Sequence, residues 1–344
     1  MALPTSGRSI TQKPPLKKFE MDIAFHINSL KSKIREYQTL QAIKKKWTTD
    51  SKDLPLTPDH WDLYVIIHKL CLKELGAFPD LVNCRDFNDR IQWLKLFDQD
   101  KETIQCSDKI LVRDFVRERV GGHVLTELYQ VHNQFDSIDF EKLPKSFVIK
   151  TNHDSGTVIL VRDKSQFDQV AAREKIELSL RQTYGWSYGE WAYAHVRPKV
   201  LVEEFIEPGS DKPPADYKFH CVDGKIRWLQ YIYDRGSNTK ECIVDAEGNV
   251  TVMHFDHNMQ HSEEFEKPSS WNELLQCAEF LSKGRKYVRV DLFASGNRIY
   301  FGEMTFFPLM GCYRSLDQMS LGMKLSFDRT TYKFPVISGS RVFN

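Results

Sequence analysis

The chain has 344 residues, about twice a typical domain, so it can bury a sizeable core. Its 48 Lys+Arg and 47 Asp+Glu leave a net charge of +1, and 41% of its residues are hydrophobic. That balance excludes bulk disorder and a surface given over to nucleic acid.

Residues 1–16 read as a disordered lead-in. From Lys17 to Trp47 a helix is predicted, because Phe19, Ile23, Ile27, Leu30, Ile34 and Tyr37 recur at spacings of 4, 4, 3, 4 and 3. This stripe suits packing on the protein's own body, a partner or second copy, or a membrane surface. Thr57-Pro58 opens a second helix and Gly76 closes it. A third covers Asn88 to Phe97, and a fourth runs from a Ser107 cap to Val120, stopped by Gly121-Gly122. Short apolar strands follow at Phe147–Lys150 and Val158–Val161, separated by the polar turn Asn152–Thr157. A helix is expected at Gln166–Leu180, then an aromatic-rich segment from Tyr184 to Tyr193, then a strand from Lys199 to Ile206. Asp216–Val222 and Lys225–Tyr233 form a hairpin around Asp223-Gly224. Ser269–Ser282 reads as a serine-capped helix, and Val288–Ala294 and Arg298–Met304 as a hairpin around Ser295-Gly296-Asn297. Helices followed by hairpins mixed with helices imply an α+β fold with antiparallel sheets.

Seven widely spaced cysteines without Cys-x-x-Cys argue for reduced thiols rather than a zinc site or disulfides, and so for a cytosolic protein. Met1–Pro15 lacks an apolar core, so no secretory signal is read there. No segment approaches the ~20 apolar residues a membrane span requires.

The last hairpin carries an acid on each strand, Asp291 and Glu303, each between apolar residues. Two carboxylates converging there suit Mg²⁺, which takes oxygen ligands and shares them with phosphates. Acids turned to solvent from alternating strands would read the same way. Lys150 ends an apolar strand just before the small, polar Asn152–Thr157 turn, where backbone N–H groups can meet phosphate oxygens. There is no Walker P-loop. Glu203 and Glu204 end a strand where a carboxylate can accept from an adenine amino group. Asp216 and Lys218 alternate to one face of the next strand, as an ion pair would too.

The order is distinctive: lysine strand, small-residue loop, acid pair, Asp-x-Lys, Arg289-x-Asp291, Gly302-Glu303-x-Thr305. It resembles the ATP-grasp superfamily, in which two α+β lobes clamp ATP between antiparallel sheets. Phe87–Leu96, Asp108-Lys109, Phe147–Gly156, Asp216–Phe219 and Gly302–Phe306 are similar to one branch, the TupA-like ATP-grasp proteins of bacterial surface-polysaccharide (capsule) clusters. The resemblance spans Phe87 to Gly311.

It implies that Lys109 and Lys150 hold ATP phosphates under a loop containing Ser155 and Gly156. Glu203 would take the adenine amino group, Glu204 and Ile206 would give backbone contacts, and Asp216 would face the ribose. Lys218 would reach the phosphate tail, Asp291 and Glu303 would bind Mg²⁺, and Arg289 would neutralise an acyl-phosphate; Arg289, Lys218 and Lys150 are the implied catalytic residues. Many ATP-grasp enzymes have Glu-x-Asn where this chain has Glu303-Met304-Thr305, but the TupA-like branch shares the threonine. The implied reaction joins a carboxylate to an amine at the expense of ATP. The substrates would be a sugar, free or nucleotide-linked, and an amine or amino acid.

The expected organisation is a lead-in and amphipathic helix (1–46), a mostly helical region (47–143), a small lobe (144–202), a large lobe (203–325) and a tail (326–344). His153 suits either orienting the acceptor or ordinary hydrogen bonding. Trp186, Tyr188, Trp191 and Tyr193 suit either a sugar-stacking platform or packing. A glycosyltransferase finds no convincing Asp-x-Asp motif, and intact Lys150, Arg289, Asp291 and Glu303 speak against a non-catalytic complex member.

Overall fold

The computed structural model describes residues 16–207, 213–236, 238–315 and 317–334, so the lead-in and the end of the tail lie outside them. By its contacts the chain divides into two units, residues 1–55 and 56–344. In the first, α1 (Leu16–Asp50) is a single helix extending beyond both predicted ends. Of its apolar stripe, Leu30, Ile34 and Tyr37 are 54–65% exposed, while the side chains of Phe19, Ile23 and Ile27 lie outside the described residues.

The second unit opens with helices. Thr57-Pro58 begins a 3₁₀ turn rather than the helix itself; α2 is Trp61–Leu75, ended by Gly76 in the left-handed conformation (φ 76°). α3 (Phe87–Phe97) is capped by Asp86, whose carboxylate accepts from the Asp89 N–H at 2.8 Å.

The predicted Ser107–Val120 helix is two helices, α4 (Lys101–Ser107) and α5 (Val112–Val120). Ser107 ends a helix instead of capping one. The break has a local cause: Asp108 leaves the helical region (ψ 115°), and its carboxylate accepts from the Ile110 N–H at 2.8 Å. The next residue, Lys109, then bonds through its N–H to the Asn152 carbonyl (3.2 Å). Breaking the helix there delivers Lys109 to the loop that follows the strand bearing Lys150.

A four-stranded antiparallel sheet is built from β1 (Leu128–His132), β2 (Phe147–Thr151), β3 (Val158–Val161) and, after α6 (Gln169–Leu180), β4 (Val200–Glu203), in the order β1-β4-β2-β3. β1, between the Gly121-Gly122 helix stop and the first predicted strand, was not anticipated. α6 begins three residues later than predicted because Asp168 caps it, accepting from the N–H groups of Val170 and Ala171 at 3.0 Å. Period-two alternation divides the sheet: Phe147, Ile149, Val161, Val200 and Val202 join Ala172 and Ile176 of α6 in one core. The intervening residues Val148, Lys150, Val158, Leu160 and Glu203 face the other way.

The second sheet comprises β5 (Asp216–Val222), β6 (Lys225–Tyr233), β7 (Lys240–Asp245), β8 (Val250–Thr251), β9 (Gln260–His261) and, after α7 (Trp271–Ser282), β10 (Val288–Ser295) and β11 (Arg298–Thr305). Its order is β11-β10-β5-β6-β7-β8, with β9 on β7. Both predicted hairpins are present, whereas β7, β8, β9 and a final helix α8 (Gln318–Lys324) were not anticipated. All seven cysteines are free thiols, six of them buried. Among the described residues no helix is long and apolar enough to cross a membrane.

Candidate active site

A cleft of about 440 Å³ opens between the inner faces of the two sheets. Lys109, Lys150, Ser155, Gly156, Glu203, Glu204, Ile206, Asp216, Lys218, Asp291 and Glu303 all line it. Of the predicted site residues only Arg289 stands back, and it reaches the cleft through Asp291. Val148, Val158, Leu160, Phe205 and Phe293 add apolar wall, as a flat aromatic ligand requires. Arg162 lies at the rim, its guanidinium 5.9 Å from the Phe205 ring centre.

Strand register assembles the charged floor. Asp291 is directly opposite Lys218 on one side and Glu303 on the other, so three candidate site side chains form a row across β5, β10 and β11. Gly302 is the extra residue of a bulge in β11. A Cβ there would lie 2.8 Å from Phe293 Cε2 and 2.9 Å from the Asp291 carbonyl oxygen.

Asp291 is 2% exposed. It accepts two hydrogen bonds from Arg289 (2.6 and 2.7 Å) and one from Lys218 (2.5 Å). Thr305 Oγ1 accepts from Arg289 Nη2 (3.1 Å) and donates to Glu303 Oε1 (3.1 Å), so the residue at the Asn position bridges cation and acid. Burial pushes the Glu303 carboxyl upward, but Lys109, Lys218 and Arg289 outweigh it and hold it at about 2. Its ordinary value is 4.5, so ionised Glu303 adds stability that is present above that value and lost as pH falls from about 4.5 to about 2. Urea unfolding across that window should show Glu303→Gln with a shallower acid decline than the wild type.

Asp291 and Glu303 are hard, anionic oxygen donors on facing strands, which suits Mg²⁺. No cluster of three or more His, Cys, Asp or Glu able to hold a metal occurs among the described residues, so phosphate and water oxygens would complete the shell.

At the other wall Glu203 is 6% exposed and engaged at both oxygens. Lys150 donates to Oε1, Thr126 donates to Oε2 at 2.9 Å, and Arg113 lies 3.5 Å away. Burial alone would raise its carboxyl; Lys150 and the other donors hold it below the usual range. Asp216 accepts from Arg235 and lies 3.8 Å from Lys218. Arg113, Thr126 and Arg235 gave no sequence signal, because each meets its acid only through tertiary contact.

The loop over the cleft is pinned by Asp154, whose carboxylate accepts from the hydroxyls of Thr151 and Ser179 (each 2.6 Å) and Thr157. Burial raises this carboxyl, and the hydroxyls more than reverse the effect. Lys109 Nζ donates to the Asp154 carbonyl. The Thr151-x-x-Asp154-x-x-Thr157 spacing was the available signal for this staple. His153 is 1% exposed, with Nε2 3.2 Å from the Ser179 carbonyl, so it packs beneath α6 and does not line the cleft. Trp191 is fully buried near Phe307 (6.3 Å between centroids), and Tyr184 packs edge-on against Tyr193 (5.5 Å). Packing accounts for Trp191, whereas Tyr188 of the same segment is 38% exposed.

Comparison with solved structures finds D-alanine–D-alanine ligase from Bacillus anthracis at 19% identity, covering 64% of this chain and 66% of that one (TM-score 0.35). The Helicobacter pylori enzyme of the same name is 14% identical, covering 70% and 68% (0.37). The ATP-grasp ligase PsnB, complexed with a minimal precursor, is 14% identical, covering 76% and 66% (0.35). The chain thus spans just under two thirds of the Bacillus anthracis enzyme. No curated protein matches it. The TupA-like ATP-grasp family matches residues 89–323, most of the chain and every predicted site residue. The chain belongs to the TupA-like ATP-grasp family.

Proposed function

We propose that the protein is an ATP-dependent carboxylate–amine ligase acting in the cytoplasm on a sugar, such as a uronic acid, or an amino-acid component of a surface polysaccharide. The carboxylate attacks the γ-phosphorus, releasing ADP and forming an acyl-phosphate; the amine then displaces phosphate and loses a proton, leaving an amide. The observation that carries this reading is the cleft, where lysines from β2, β5 and the α4–α5 break converge on the Asp291–Glu303 pair.

Lys150 is held by Glu203 and Lys218 by Asp291. ATP entry moves Lys150 onto phosphate and leaves Glu203, still held by Thr126 and Arg113, to accept from the adenine amino group. Glu204 and Ile206 supply backbone contacts, and Asp216 faces the ribose. Ser155 and Gly156 close over the phosphates with Lys109, while Lys218 and Arg289 stabilise charge on the transferring group in a site that excludes water. Mg²⁺ bound by Asp291 and Glu303 would supply electrophilic stabilisation of the phosphate oxygens.

Mg-ATP at a hundredfold excess over its Kd should add about 2.7 kcal/mol of stability, visible as a raised Tm. An unchanged Tm with no calorimetric binding would reject the reading. ADP release screened over amino acids and nucleotide-linked uronic acids, with product masses, would identify the substrates.

The exposed Leu30, Ile34 and Tyr37 of α1 support self-association of the N-terminal unit with a second copy. Deleting residues 1–46 should lower the mass seen by light scattering while ATP binding survives. An unchanged mass, or a protein that precipitates, would reject that assignment.

A further inference from the structure

The face of the seven-stranded sheet opposite the cleft carries a second cavity, of about 670 Å³. Alternation puts it there: Asp216 and Lys218 line the cleft, and Tyr217 between them points the other way. Tyr217 pairs across the strands with Tyr231, and Tyr233 follows on the same face. Phe265 completes the array. Tyr217 and Tyr231 lie 5.1 Å apart, Tyr231 stacks on Tyr233 at 5.2 Å, and Phe265 stands edge-on to Tyr231 at 5.2 Å. The acids lining the cavity are Asp234, Glu264 and Glu266, and no Lys, Arg or His lines it among the described residues.

Two features define the ligand chemistry. Ring faces carry negative potential, which attracts cations and offers nothing to an anion. One ring of the array already receives an ammonium group from the chain itself: Lys240 Nζ lies 5.5 Å from the Tyr233 ring centre and 3.6 Å from Glu264. Burial raises the Tyr217 phenol and takes that of Tyr231 to about 12, so both rings stay neutral at physiological pH. We propose that this cavity binds an organic ammonium ion, its cationic head against the Tyr231, Tyr233 and Phe265 rings and its charge answered by Glu266, Glu264 being already engaged by Lys240 and the Tyr233 hydroxyl. Pro213 and Pro214 separate it from the cleft and line both, so the site adjoins the cleft. It stands independently of the ligase reading.

The test is calorimetric titration of the full chain with choline chloride, and with 3,3-dimethyl-1-butanol, which has the same shape without the charge, at ionic strength fixed with sodium chloride. Choline should bind saturably, and the alcohol at least about tenfold more weakly. Glu266→Gln, at an exposed position, should weaken choline binding about tenfold; Tyr233→Phe, which keeps the ring, should retain it. No saturable choline binding, equal binding of the alcohol, or an unchanged affinity in Glu266→Gln would overturn the proposal.

Discussion

Asp291→Asn and Glu303→Gln are each expected to reduce ADP release by a factor of about 10³ or more, since each removes charge stabilisation in the transition state. Their effects on folding should separate. Asp291 is buried under three charge-assisted hydrogen bonds, so its amide removes the nearest counter-charge of Arg289 and Lys218, leaving them Glu303 at 3.5 Å and Asp216 at 3.8 Å. Breaking such a buried pair costs up to about 3–5 kcal/mol. Glu303 has a third of its side chain exposed, so its glutamine variant should lose less stability at neutral pH than the Asp291 variant, the loss being the contribution of the ionised carboxylate. Urea denaturation beside an ADP-release assay distinguishes the two losses. Near wild-type ADP release in either variant would remove that residue from the site.

Gly302→Ala should have the second largest effect, although glycine carries no functional group. The added Cβ meets Phe293 and the Asp291 carbonyl at distances real Cβ atoms do not keep, so β11 must shift against β10. A shift of about 1 Å between the two acids can cost about 10²-fold in turnover. Overpacking of this kind costs about 1–3 kcal/mol in stability. The expected signature is a large fall in turnover with a folded, less stable protein; wild-type turnover would show that the bulge does not position the acids.

The sequence by itself determined the strand polarity of the site. Alternation in β5 set Asp216 and Lys218 on one face, because a strand's side-chain period is two whatever it packs against. Turn chemistry at Asp223-Gly224 and Ser295-Gly296-Asn297 fixed two hairpins, and the order of motifs identified the family. Those signals are local, or survive as order along one chain.

Tertiary structure decided the rest. The helix break at Asp108, which presents Lys109, is stabilised partly by the Asn152 carbonyl, 43 residues on in sequence. Arg113 and Thr126 reach Glu203 because β1 pairs with β4. Arg235 reaches Asp216 because β6 pairs with β5. Within the aromatic segment, only burial shows that Trp191 is core, and that Tyr188 is not. Partner choice between distant segments depends on which surfaces the folded chain brings together, and no spacing within one segment encodes it.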